Sequence, residues 1–119
     1  YNQLLQQNGW LPLGTDFPVE NISPIYTFYA AVVREDLKGY PTGGFQTENA
    51  IGRADALRGM TIWAAKAQFE EKEKGSIEPG KFADFVILDN DIMKVKGSEL
   101  PNVKVLKTYV NGENVYEKK

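Results

Sequence analysis

Apolar positions recur at helical spacing through the first part of the chain and at strand spacing through the last, with the change near Gly75. Leu4 and Leu5, followed by Asn8 and Gly9, read as the last turn of a helix, because Gly9 can take the left-handed conformation just beyond it. In LPLGTDFPVE, Leu11, Leu13 and Phe17 are separated by small or turn-forming residues, so residues 10–15 are predicted as a short buried strand ending at Asp16. Ser23-Pro24 predicts a helix start, with Ser able to cap free N–H groups and Pro having no N–H to lose. Ile25, Phe28, Tyr29 and Val32 follow at helical spacing and should bury one face.

Residues 36–52 break any period at Gly39, Pro41, Gly43, Gly44 and Gly52, and read as an irregular loop. Loops of this length in compact domains are uncommon and tend to be functional or mobile. A helical pattern resumes over 53–60. Thr61 is the expected cap of a further helix in which Ile62, Ala65 and Phe69 share a face. The charge run 70–74 reads as a solvated helix end, stopped by Gly75.

Beyond that point the pattern is that of strands. Pro79-Gly80 predicts a reversal, and Phe85-Val86-Ile87-Leu88 is a continuous apolar run suited to a strand covered on both faces. Residues 103–110 are rich in β-branched and aromatic side chains. Asn111-Gly112 separates them from Asn114-Val115-Tyr116, and Asn-Gly is the strongest two-residue hairpin signal. A type I′ loop here pairs Val110 with Glu113 and Tyr109 with Asn114.

Composition narrows the function classes. A length of 119 residues, 42% hydrophobic and 25% charged, is that of one soluble globular domain with a modest core. With 14 Lys and Arg against 16 Asp and Glu, the formal charge of −2 gives no electrostatic basis for binding nucleic acid or anionic membrane, and neither is expected as a partner. No apolar run approaches the ~20 residues that span a bilayer, and YNQLLQQNGW has neither the basic region nor the apolar core of a signal peptide. The chain has no cysteine and no histidine, which excludes disulfides and thiolate sites and leaves the compartment open.

Asp16 is the candidate for chemistry. A carboxylate at a strand end is a common place for a catalytic or metal-binding group in a barrel enzyme. The competing local reading is a turn in which its side chain bonds a nearby N–H. Asp84, in the turn before the apolar run 85–88, reads as closing that turn or pairing locally.

The order GTD-x-PVE, a helix, an Ala-Leu segment leading to T-I-x-A-A, then GSIEPGKFADFVILD and VLKTYVNGENVYE, resembles the carboxy-terminal end of the amidohydrolase superfamily. The resemblance is to its metal-dependent hydrolases of amide-like, non-peptide C–N bonds. It implies an α/β fold: the last strand and helices of a (β/α) barrel over 1–74, then strands of a small β-sandwich ending in a hairpin over 75–119, both incomplete. By the resemblance, Asp16 contacts the metal and the attacking water, takes the water's proton and returns it to the leaving nitrogen. The family's H-x-H and later histidines fall upstream of these residues. The resemblance thus implies a small-molecule substrate and a divalent metal, zinc, in the full-length protein, and no metal held by this chain alone. It also implies an isolated chain that is inactive and can self-associate through surfaces uncovered by truncation. The alternative from another class is a stand-alone, non-catalytic α+β interaction or accessory domain, with Asp16 a turn residue and 39–44 a binding loop.

Overall fold

The computed structural model describes all 119 residues. Helix α1 spans Asn2–Asn8 and ends at Gly9 in the left-handed conformation, as the Leu4-Leu5-Asn8-Gly9 pattern predicts. Helix α2 spans Pro24–Val33; Pro24 occupies its first position, while the Ser23 side chain makes no capping bond. Its buried face is Ile25, Phe28, Tyr29 and Ala31, with Val32 packed beside them. The segment after it is irregular apart from one 3₁₀ turn, Thr47–Asn49.

Helix α3, Arg53–Met60, and helix α4, Ile62–Ala67, follow one another with a break at Thr61. Thr61 does not cap α4: its hydroxyl donates to Leu57 O at 2.7 Å, back into the preceding turn. Such a bond competes with continuation of the helix. Helix α4 is also shorter than the periodicity suggests. Phe69 falls outside it, left-handed at φ 61 and 94% exposed, so only Ala65 of the expected face is fully buried. The charged run lies in turns beyond the helix, where Lys74 pairs with Glu70 at 2.7 Å.

The sheet has three antiparallel strands in the order β1, β2, β3, comprising Phe85–Leu88, Val105–Val110 and Glu113–Glu117. Strand β1 is at the edge and is not covered on both faces. Val86 is 51% and Ile87 42% exposed; as consecutive strand residues they point to opposite faces, so neither face is fully covered along this edge strand. Strand β2 starts two residues later than the apolar pattern suggests; Val103 instead closes a 3₁₀ segment, Gly97–Asn102, and is buried in the core. The hairpin has the expected register next to its loop, Val110 with Glu113 and Tyr109 with Asn114, then shifts so that Thr108 faces Tyr116. Asn111 and Gly112 both have positive φ, 50° and 80°, as a type I′ loop requires. Phe85 and Tyr109, paired across β1 and β2, stack with ring centroids 4.5 Å apart.

One core runs through both parts of the chain. Phe28 and Leu100 are its two large fully buried side chains, and Ile92 and Val103 join Ile25, Ile51 and Ala56 around them. Arg53 reinforces the junction, since its guanidinium donates to Ile92 O and Val95 O, each at 2.6 Å. A guanidinium fork satisfies two otherwise unpaired carbonyls at once.

The predicted strand at 10–15 needs correction. These residues are not hydrogen-bonded into a sheet, because no other strand within the 119 residues runs beside them. Leu13 N–H instead donates to Gly59 O at 2.9 Å, and Leu11 and Leu13 pack against the core. The approach is close: a Cβ on Gly59 would lie 2.8 Å from Leu13 Cγ and 2.9 Å from Leu11 O.

Candidate active site

Asp16 ends the Leu11–Leu13 segment in an exposed turn. The turn is closed without its carboxylate. Val19 N–H donates to the Asp16 main-chain carbonyl at 2.8 Å, and Phe17 N–H donates to Thr15 Oγ1 at 3.3 Å. This differs from the local reading in which the aspartate side chain itself holds the turn. The Asp16 backbone is left-handed, φ 51, a conformation that Asp tolerates better than most residues. The Asp16 residue is exposed and its carboxylate makes no hydrogen bond or ion pair within the chain.

Helices α3 and α4 return alongside this segment. Gly59 O meets Leu13 midway, and the Lys66 ammonium lies 4.4 Å from the centroid of the Trp10 ring at its start. The order of those contacts means that the helices run antiparallel to residues 10–15. Everything between Asp16 and Arg53 thus departs and returns at the Asp16 end.

Beside Asp16 lies a cavity of about 500 Å³, bounded by Leu13 and Thr15, by Tyr26 and Thr27 of α2, and by Glu35, Asp36 and Leu37. Glu35 and Asp36 were not identified as site residues from sequence. Glu35 Oε1 accepts the Gly43 N–H at 2.8 Å, and its Oε2 accepts the Tyr29 hydroxyl at 3.3 Å. Burial first, and then the Glu35 charge, push the Tyr29 hydroxyl above the usual phenol range. Asp36 Oδ1 accepts the N–H groups of Tyr40 and Lys38, and these bonds hold its carboxyl below the usual carboxylate range. The legible signal for Asp36 was D-x-K-G-Y, an aspartate bonding its own backbone two residues on. Glu35 had none, since its partners lie six and eight positions away.

No three His, Cys, Asp or Glu side chains converge as a metal site. A single exposed carboxylate such as Asp16 falls short of the ligand set that a zinc site takes.

The model of the Amidohydrolase family matches residues 2–116. The chain belongs to the amidohydrolase family. This amidohydrolase chain is 38% identical over 116 residues to Protein LONG AFTER FAR-RED 3 of Arabidopsis thaliana, covering 98% of the chain and 19% of that protein. It is 38% identical over 106 residues to the N-substituted formamide deformylase of Arthrobacter pascens, covering 89% of the chain and 19% of that enzyme. It therefore spans about a fifth of the length of these curated relatives. The crystal structure of an amidohydrolase from Thermotoga maritima MSB8 superimposes with a TM-score of 0.64 at 24% identity, covering 98% of this chain and 26% of that one, and the likeness is one of fold.

Proposed function

We propose that the whole protein is a metal-dependent hydrolase of amide-like, non-peptide C–N bonds, and that this segment supplies its general base, Asp16. Family membership over residues 2–116 carries the reaction class. The similarity to an N-substituted formamide deformylase supports a small amide substrate. In this reading residues 10–15 are the last barrel strand, 1–74 the end of the barrel domain and 75–119 strands of a small β-sandwich. The antiparallel return of α3 and α4 along residues 10–15 supports this, as it is the path of a barrel strand and its helix. Residues 10–15 and the exposed side chains of β1, Val86 and Ile87, then meet their neighbours in the rest of the protein.

An Asp16 oxygen accepts the proton of the attacking water and delivers it to the nitrogen that leaves. Its turn leaves the carboxylate unbonded, so no internal hydrogen bond must break first. A divalent cation, zinc in this reading, would supply acidification of water toward pKa about 7 when bound; Asp16 is the one ligand this segment would contribute.

The test is Asp16→Asn in the complete enzyme. The amide keeps the shape and removes the base, so kcat should fall by at least ~10²-fold while circular dichroism and melting are unchanged. Near-normal turnover by a folded, metal-loaded variant removes Asp16 from the mechanism.

A further inference from the structure

Residues 17–52 form a 36-residue excursion on the Asp16 end of the 10–15 segment, made of α2 and the long irregular loop. In the hydrolase reading, on which this inference rests, that is the end where connecting segments build the substrate site. The loop is tightly held. Besides the bonds to Glu35 and Asp36, Phe45 N–H donates to Arg34 O at 2.8 Å and Arg34 Nε–H donates to Phe45 O at 3.1 Å. Long loops in compact domains are either functional or disordered, and these bonds argue against disorder.

Between loop and strand end lies the cavity of about 500 Å³, within the ~300–1,000 Å³ range of small-molecule sites. Its charged side chains are of one sign. Glu20, Glu35 and Asp36 border it, and no Lys or Arg does. Two of these carboxylates are tied into the loop, whereas Glu20 is exposed and makes no hydrogen bond within the chain. Thr15 ties the cavity to the chemistry, being both part of its wall and the neighbour of Asp16.

We propose that this cavity receives the substituent carried by the leaving nitrogen, with Leu37 and Tyr26 against its apolar part, and that it selects neutral or cationic substituents over anionic ones. A negative substituent would be brought among three carboxylate side chains with no Lys or Arg in the lining, and like-charge juxtaposition is costly in a partly desolvated site.

The experiment has two arms on the complete protein. In the first, kcat/KM is measured for N-formyl amines of matched size whose amine portion is neutral, ammonium-bearing or carboxylate-bearing. Neutral and cationic members should be preferred by about tenfold or more, and Glu20→Lys should cut that preference about tenfold through KM. Leu37→Ala, at a half-exposed position that should not unfold the chain, should lower kcat/KM for bulky neutral amines and spare the smallest. In the second arm the free amines are titrated calorimetrically, which requires no turnover, and their affinities should follow the same order and the same response to Glu20→Lys. Binding in that pattern without hydrolysis of any member overturns the hydrolase reading and upholds the cavity. Turnover with selectivity unmoved by either substitution overturns the cavity and leaves Asp16 standing. Absence of both binding and turnover overturns the cavity assignment as well.

Discussion

The carboxylate of Asp84 holds the backbone of Asn111, 27 residues away: the Asn111 N–H donates to Asp84 Oδ1 at 2.8 Å. The next residue repeats the link through the main chain, with Gly112 N–H donating to Ala83 O at 3.0 Å. The tip of the terminal hairpin is thereby fixed to the residues just before β1. Asp84→Ala removes one charge-assisted bond and leaves the Asn111 N–H to water. The expected cost is about 1 kcal/mol, read as a lower urea midpoint with unchanged m-value. An unchanged midpoint means that the loop holds the register by itself.

Gly112 tests the loop directly. At φ 80 a β-branched side chain is strained, so Gly112→Val should destabilise the chain by roughly 1–3 kcal/mol. Space is not the problem, because the nearest atom to an added Cβ, Ala83 Cβ, is 3.9 Å away. Gly112→Asn should accordingly cost much less than Val, and equal losses for the two would point away from backbone strain.

At Gly59 two effects oppose each other. Replacing a helical glycine with alanine gains roughly 0.5–1 kcal/mol in the helix, but the new Cβ would sit 2.8 Å from Leu13 Cγ and 2.9 Å from Leu11 O. Overpacking of this kind costs typically about 1–3 kcal/mol, and one of the atoms is main chain, which yields poorly. Gly59→Ala should therefore lower the melting temperature, and a paired Leu13→Ala substitution should recover part of the loss that Gly59→Ala causes. A stabilised single variant refutes the close approach.

Acid should weaken the fold through Asp89. Its Oδ1 accepts the Lys104 N–H at 2.9 Å, and that bond is the main cause holding its carboxyl below the usual carboxylate range, followed by Asn90 and the Lys104 and Lys118 charges. A carboxylate with a lower pKa folded than unfolded binds protons more readily in the unfolded chain. Its contribution is present above the unfolded value of about 3.9 and is lost as pH falls through the folded value. Asp36, lowered in the same way, acts in the same window. Denaturation midpoints should drop below about pH 4, and Asp89→Asn should flatten that drop. An identical pH profile in the variant excludes Asp89 as a contributor.

Local chemistry determined much of this protein. The Gly9 helix stop, Pro24 at the start of α2, the bounds of α3, the span of β1 and the Asn111-Gly112 loop were all legible, because each depends on backbone preferences of a few adjacent residues. The sequence motifs also sufficed for the family, and they singled out Asp16. Tertiary structure decided what depends on neighbours far along the chain. Residues 10–15 have a strand's pattern but no strand to pair with, since a ladder needs a second chain segment at the right distance. The apolar run of β1 says that its side chains can be buried, yet at the edge of three strands Val86 and Ile87 are not. Asp84 looked like a local turn residue and instead bonds Asn111, while Glu35 was invisible until the loop folded back to bring Gly43 to it. Short-range preferences are written in single residues, whereas contacts between distant residues arise only when the whole chain closes on itself.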